Sequence, residues 1–286
     1  PVYDLIPYAG GMVLMQPSPA NPDVPAKFEE YPKLLQIYRE ATSWRDILHC
    51  HTVADLNEMI RDHRLREFIR VNEALQEKKI QWIADRAIES GARVILIAGP
   101  SSSGKTTFSH RLMIALRVHG LRPVKLSLDD YYRNREDLPL EPDGSVDLER
   151  LDTLDTALLC EHLPKLLAGE EVEVPLFDFT TGRRREEGHR MRVEQGQPII
   201  IEGIHGLNEQ LTSSVPRNMK FKIYINALTM LSLDDHNRIR ATDARLLRRK
   251  SGGDHGHVGF RAQGRVQLHL SLPGGSGRYD EFVAQL

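Results

Sequence analysis

Cysteine is scarce in this sequence, and long hydrophobic runs are absent from it. Cys50 and Cys160 are the only two cysteines in 286 residues, too few for a disulfide framework, so we expect a reducing compartment. No apolar run approaches the roughly 20 residues that cross a bilayer, and no signal-peptide pattern opens the sequence. We therefore expect a cytoplasmic protein that has no membrane partner.

The sequence also has no large excess of positive or negative charge, because it contains 38 Lys+Arg and 40 Asp+Glu. Proteins that hold nucleic acid by bulk electrostatics usually carry a strongly basic face, so the balance disfavours a nucleic-acid partner. The length fits one or two domains. The sequence begins with Pro1 in a stretch typical of structured protein, so we expect a fragment of a longer chain. The oligomeric state stays open, a homo-oligomer included.

The chain divides by composition into four segments. Residues 1–32 contain seven of the 16 prolines, which disfavour long regular elements, and residues 33–92 have apolar residues at helical spacing. From 93 to 249, buried-type strands such as Arg93–Ala98 alternate with helices. This alternation predicts an α/β fold with a parallel sheet and helices on both faces. Residues 250–286 are a tail rich in Gly and His.

The sequence GPSSSGKTT at residues 99–107 directly follows a predicted strand and precedes a predicted helix. It matches GxxxxGK[ST], in which backbone N–H groups bind a polyphosphate, the lysine reaches the β/γ-phosphates and the hydroxyl ligates Mg²⁺. Lys105 and Thr106 occupy the last two positions. We therefore predict a phosphate and magnesium site formed by Gly99, Ser101, Ser102, Ser103, Gly104, Lys105, Thr106 and Thr107.

Acidic residues follow two further predicted strands, at the sheet edge where ligands of α/β folds bind. Asp129 is the candidate general base for an attacking hydroxyl and a second candidate magnesium ligand. Asp130, beside it, is predicted to cap the following turn. Glu202 ends a buried strand in the position of a Walker-B acid that holds magnesium.

Arginines are concentrated in two places. Arg248 and Arg249 follow Asp243 on a predicted helix, where they are candidate phosphate contacts; a solvated helical face is the alternative. A run of three arginines at 183–185 lies in a predicted loop and leaves the same two interpretations open.

Taken together, the motifs GPSSSGKTTF, LSLDDYY, PLFDFTTGRRR, IIIEGIHGLN and TDARLLRR resemble the uridine kinase and phosphoribulokinase-like family of P-loop kinases over residues 93–249. The chain looks most similar to bacterial members that carry an N-terminal extension related to threonyl-tRNA synthetase. By this resemblance, residues 1–32 are a remnant of that extension and residues 33–92 a helical connector.

The resemblance implies an ATP-dependent nucleoside kinase that uses Mg²⁺ and acts on a uridine- or cytidine-like substrate. Lys105 and Asp129 are then the catalytic residues, and Thr106, Asp129 and Glu202 the metal ligands. The implied substrate contacts are Asp129, Tyr132, Asp152 and Phe177. Gly182 departs from the pattern, because uridine kinases commonly have a histidine there, and this leaves the preferred base unassigned.

Two other functions remain compatible with the motifs. One is a kinase of another small hydroxyl metabolite, and the other is a switch protein in which nucleotide binding controls an RNA or a partner. A switch needs no base beside the terminal phosphate, whereas a kinase does, so Asp129 distinguishes the two classes.

The resemblance ends near Lys250, where the family continues with a lid and a block similar to IFPFQEEADVMFNS. A back-translation of HLSLPGGSG at residues 269–277, started one nucleotide later, can encode IFPFQEEA. We therefore predict that the tail from about Lys250 is translated out of frame and does not pack, and that the kinase activity of the chain is impaired. Sequencing the encoding DNA tests this prediction, which is wrong if the shifted frame does not encode that block.

Overall fold

The structure is a computed structural model that describes residues 2–18, 21–30, 32–101, 103–140, 146–226, 231–234 and 281–285. It divides into two compact units, residues 1–39 and 40–286. None of the helices in these described ranges is long and apolar enough to cross a membrane. The division of the chain into four segments, including the origin of the first, stays a prediction.

The first unit contains two antiparallel β-hairpins in its described residues. Strands β1 (Asp4–Tyr8) and β2 (Gly11–Met15) form one, and β3 (Pro17–Ser18) and β4 (Asn21–Pro25) form the other. Short strands are what the proline density allows, because proline removes a backbone donor from a ladder. Helix α1 (Pro32–Leu48) begins in this unit.

The second unit contains a five-stranded parallel sheet in the order β13-β12-β5-β11-β6. Its strands are β5 (Val94–Ala98), β6 (Val124–Ser127), β11 (Ile199–Glu202), β12 (Lys220–Asn226) and β13 (Glu281–Gln285). The remaining helices are α2 (Val53–Arg61), α3 (Leu65–Glu89), α4 (Lys105–Val118) and α5 (Thr156–Leu167). Two small antiparallel pairs, β7 (Val172–Val174) with β10 (His189–Met191) and β8 (Phe177–Asp178) with β9 (Arg183–Arg184), complete it.

The side chains of β5 alternate between two hydrophobic clusters, as the period of two in a strand requires. Val94 and Leu96 pack in a cluster that includes α5 residues, whereas Ile95 and Ile97 pack with buried residues of α3 and α4. All five residues of β5 are buried. The sheet is therefore covered on both faces, which confirms the α/β fold predicted from the sequence.

The strands that the sequence predicts at residues 93–98, 123–128, 198–201 and 221–225 are present as β5, β6, β11 and β12 with small shifts at their ends. Two features were not predicted. The first consists of the two small pairs, β7 with β10 and β8 with β9. These strands contain no long apolar run, so the sequence gives no strand signal at their residues. Strand β13 lies in the tail and pairs in parallel with β12, although we expected this tail not to pack. The rest of the tail lies outside the described residues.

A polar pair is enclosed in the core between α5 and the 3₁₀ turn Leu128–Tyr131. The Tyr131 hydroxyl and Nδ1 of His162 share a hydrogen bond of 3.0 Å, and the two side chains are 0% and 6% exposed. Burial lowers the pKa of His162, with a smaller contribution from the cations Lys165 and Arg184. Burial therefore favours the neutral imidazole, in which Nδ1 can accept a hydrogen bond from the Tyr131 hydroxyl.

We predict that His162 makes the fold acid-sensitive. Because its folded pKa lies below the unfolded value of about 6.5, its contribution to stability is complete above that pH and is lost as the pH falls. Urea unfolding of wild type and His162→Gln at pH 7.5 and 5.5 measures this contribution. The variant should lose less stability between the two pH values than wild type does, and an equal loss would contradict the prediction.

Candidate active site

The parallel register brings three chain segments to one edge of the sheet. Glu202, at the end of β11, lies opposite Ile97 of β5 and Ser127 of β6. Gly99 and Asp129 each follow these partners by two residues. Since neighbouring strands lie about 4.8 Å apart, the P-loop and the Asp129 segment flank Glu202 at a separation of about 10 Å. This spacing leaves room between them for a phosphoryl group.

The P-loop, residues 99–106, has the backbone that its glycines allow. Gly104, the N-cap of α4, has a φ of +88°. Glycine adopts this left-handed conformation without strain. A Cβ on Gly99 would overlap the Ile225 carbonyl oxygen and come within 2.8 Å of Ser103 Oγ. The backbone of the loop at Gly99 therefore lies against the backbone of β12, with no space for a side chain between them.

Polar groups of the loop are arranged around its concave backbone. Ser103 Oγ is buried and has no hydrogen-bond partner in the described part of the chain, and the Lys105 ammonium donates to the Pro100 carbonyl at 3.1 Å. Ser101, Thr106 and Thr107 are exposed. A buried hydroxyl, a lysine and a helix N-terminus are suited to bind phosphate oxygens.

Glu202 is the buried carboxylate at the centre of this edge. One of its oxygens, Oε1, accepts a hydrogen bond of 2.9 Å from the Thr106 hydroxyl and lies 3.1 Å from Lys125 Nζ. The sequence analysis did not find Lys125, although a lysine within the short apolar strand β6 is an available signal. This ion pair compensates the cost of burying Glu202, whose side chain is 7% exposed.

Asp129 is exposed to solvent at the entrance of this edge, but protein atoms surround it on its other sides. The resulting desolvation raises the pKa of its carboxyl group, Glu202 raises it further, and Lys105 opposes the shift. Its backbone N–H donates to Ser127 Oγ at 3.3 Å, which holds the turn. An accessible carboxylate with a raised pKa is a stronger base than an ordinary aspartate.

Asp130 has a different environment from that of Asp129. Burial raises the pKa of its carboxyl group, whereas a hydrogen bond from the Phe177 backbone N–H lowers it. Asp130 thus joins the segment after β6 to β8. This contact with a distant strand differs from the predicted cap of the following turn, whose side-chain cap is Ser127.

Aromatic side chains form a wall beside Asp129. The ring of Tyr132 lies 5.5 Å from that of Phe177 and 5.6 Å from that of Phe179, and the two phenylalanines are 5.0 Å apart. Phe177 is 8% exposed and belongs to the core, whereas Phe179 is 45% exposed. Of the two phenylalanines, Phe179 therefore has the larger surface free for a ligand.

The Tyr132 hydroxyl lies in an acidic environment. It donates to the Leu148 carbonyl at 3.1 Å, and burial, with the charges of Asp129, Glu149 and Asp147, raises the pKa of Tyr132 to about 12. Asp152, whose exposed carboxylate accepts hydrogen bonds of 3.1 and 2.6 Å from Arg150, precedes Leu154 by two residues, and Leu154 forms a β-bridge with Tyr132. Its contact with substrate hydroxyls stays a prediction.

The arginines at 183 and 184 are engaged with protein groups. Arg184 donates to the carbonyls of Tyr132 at 2.8 Å and Tyr131 at 3.0 Å, and to the Asp155 carboxylate at 3.2 Å. Arg183 pairs with Glu136 at 2.6 Å. These contacts hold the segment that follows Asp129, and a phosphate contact of the two residues stays one of the two open interpretations.

Three predicted nucleotide contacts, Ser102, Arg248 and Arg249, lie outside the described residues. Within the described ranges, no group of three or more His, Cys, Asp or Glu side chains could hold a metal ion. A magnesium ion would therefore depend on few protein ligands, as is usual where the ion keeps waters and phosphate oxygens.

A parallel sheet whose central strand leads through GxxxxGKT into a helix defines the P-loop NTPase fold. Comparison with known proteins agrees, because the model of the phosphoribulokinase / uridine kinase family matches residues 94–239. That match covers about half of the sequence, and the chain belongs to this family.

Individual relatives are similar over a part of the chain. Uridine kinase from Bacillus pumilus is 33% identical over 133 residues, which are 46% of this chain and 60% of the relative. Uridine kinase from Lactobacillus helveticus is 34% identical over 134 residues, 46% of this chain and 60% of the relative. The chain thus spans about 60% of the length of these curated relatives.

Among solved structures, a possible uridine kinase from Bacillus stearothermophilus has a TM-score of 0.42 and 20% identity. The alignment covers 59% of this chain and 91% of that chain.

We predict that Gly99→Ala weakens nucleotide binding, because the added Cβ overlaps the Ile225 carbonyl and displaces the loop amides. Each lost hydrogen bond to a charged phosphate is worth about 1.5–3 kcal/mol, so the affinity for ATP should fall about tenfold or more. Binding of a fluorescent ATP analogue measures it. Gly196→Ala is the control: this glycine has a φ of +88° and open space around it, so the substitution strains the backbone without touching the loop. Equal affinities of Gly99→Ala and wild type would contradict the prediction.

Proposed function

We propose that the chain is a nucleoside kinase that transfers the γ-phosphoryl group of ATP to the 5′-hydroxyl of a uridine- or cytidine-like nucleoside. The observation that carries the proposal is the position of Asp129, an accessible carboxylate of raised pKa at the sheet edge that also carries the P-loop and Glu202. The curated relatives named above are uridine kinases, which favours a nucleoside acceptor.

In this proposal Asp129 accepts the proton of the attacking hydroxyl, and the P-loop holds the triphosphate. Lys105 supplies positive charge at the β/γ end, and Ser103 Oγ, buried without a partner in the described part of the chain, is suited to a phosphate oxygen. Phosphoryl transfer depends mainly on positioning and charge neutralisation, so few protein groups have to react.

Thr106 and Glu202 would hold Mg²⁺, whose charge neutralises the phosphate oxygens. Their mutual hydrogen bond of 2.9 Å fits this role, because both oxygens belong to one small region at the sheet edge. Hydroxyl and carboxylate oxygens are also the ligands that Mg²⁺ prefers. Lys125, paired with Glu202, fixes the carboxylate in place.

A nucleotide-dependent switch is the less suited alternative. A switch has no use for a base at the terminal phosphate, whereas Asp129 is accessible and its pKa is raised toward the range of a general base. The exposed ring of Phe179, which packs against Tyr132 in the aromatic wall beside this carboxylate, offers a surface for the flat ring of an acceptor.

We predict that Asp129→Asn lowers kcat for nucleoside phosphorylation by a factor of about 10²–10⁴, the usual contribution of a general base. The Kd for ATP should change little, because the P-loop is untouched. Coupled ADP-release assays with uridine and cytidine measure kcat. For wild type, the rate should fall as the pH drops through the raised pKa of Asp129, since the protonated carboxyl cannot accept the proton.

Asp130→Asn is the matched control for this substitution. Its amide oxygen can still accept from the Phe177 N–H, so we expect most of the activity to remain. Nucleoside-dependent turnover that is equal in Asp129→Asn and wild type would refute the role of Asp129. Absence of any nucleoside-dependent turnover in wild type would refute the proposed function.

A further inference from the structure

Two loops beside the aromatic wall are joined residue by residue. The Asn134 side chain accepts from the Arg184 backbone N–H at 2.9 Å, and the Arg135 backbone N–H donates to the Gly182 carbonyl at 2.9 Å. The ion pair between Glu136 and Arg183 adds a third contact. The loop after Tyr132 and the turn before β9 therefore form one unit.

Within this unit, the side chain of Arg135 takes the space next to Gly182. Gly182 is buried with a φ of +72°, and a Cβ added to it would lie 2.5 Å from Arg135 Cδ and 2.9 Å from Arg135 Nε. No side chain fits at 182 while Arg135 has this conformation. The absence of a side chain at Gly182 thus makes room for the Cγ, Cδ and Nε atoms of Arg135.

The guanidinium of Arg135 is bonded to the backbone of the residue that carries the exposed aromatic ring of the wall. Its Nη2 donates to the carbonyl oxygen of Phe179 at 3.1 Å, and Phe179 is the residue whose ring is 45% exposed. Arg135 is itself exposed and makes no ion pair among the described residues. In the described part of the chain, one of the five N–H donors of this guanidinium is engaged as a side-chain donor, by the Phe179 carbonyl.

The order of groups along the wall matches the order of groups in an aromatic nucleoside. Asp129 and Tyr132 lie at the end where the phosphoryl group is transferred, and the Tyr132 ring contacts Phe179. Arg135 follows at the Phe179 carbonyl. A flat ring stacked on Phe179 would therefore have an edge within the region of the guanidinium.

We infer that Arg135 is a specificity-determining residue that donates hydrogen bonds to an acceptor-rich edge of the aromatic ring of the substrate, as found in a pyrimidine with carbonyl groups. The inference rests on the proposed function and adds the group that selects the ring. Hydrogen bonds from a charged donor to ring acceptors discriminate between substrates, because a ring without acceptors cannot pair with the guanidinium.

The test compares uridine and cytidine with phenyl ribonucleoside, which has the same ribose and a flat ring without hydrogen-bond acceptors. Arg135→Ala should raise KM for uridine or cytidine about tenfold or more. It should leave KM for the phenyl compound and for ATP within about twofold. Arg135→Lys keeps the positive charge but loses the planar pair of N–H donors, so it should give an intermediate KM.

Arg190→Ala is the control, since it removes an exposed arginine of β10 whose partner is Glu171, outside the two joined loops, and it should behave as wild type with all three acceptors. Equal losses for the pyrimidine and phenyl compounds in Arg135→Ala would show a purely structural role and overturn the inference. An unchanged KM for uridine and cytidine would overturn it as well. Both results leave the proposed function intact, whereas a wild-type protein inactive on every nucleoside overturns both.

Discussion

The parallel register of β5, β11 and β6 is the constraint on which the candidate site depends. It places Glu202 opposite Ile97 and Ser127, so that the P-loop and Asp129 emerge on either side of one buried carboxylate. The order of these strands in the sequence differs from their order in space. Strand β11 comes last of the three and lies between the other two, so the site forms only when the long connection after α5 has returned to the sheet.

Burying Glu202 in this position has a cost that its neighbours offset. A buried carboxylate is tolerated when it is paired and hydrogen-bonded, and removing one partner of such a pair typically costs about 3–5 kcal/mol. Lys125 and Thr106 provide the partners. Lys125 therefore links the stability of the sheet edge to its chemistry, because the charge that compensates Glu202 also acts on Asp129.

The parts of the site that the sequence predicted are those encoded by neighbouring residues. The P-loop, the helix after it and the strand ends that carry Asp129 and Glu202 have local signals of apolar runs, glycines and motif spacing. The contacts of Lys125 with Glu202 and of Arg184 with Tyr131 and Tyr132 join residues about 50 or more positions apart. Such pairs depend on topology, which no local pattern reports.

The two halves of the site are built from different kinds of contacts, and this difference bears on how selectivity can vary. The phosphate half consists of backbone at the ends of buried strands, where even a Cβ on Gly99 has no space. The acceptor half consists of side-chain contacts between two exposed loops, such as Arg135 with Phe179 and Arg183 with Glu136. A substitution in these loops leaves the sheet register unchanged. The bound acceptor can therefore change while the geometry for phosphoryl transfer is retained, which is what a P-loop kinase scaffold needs in order to serve several hydroxyl substrates.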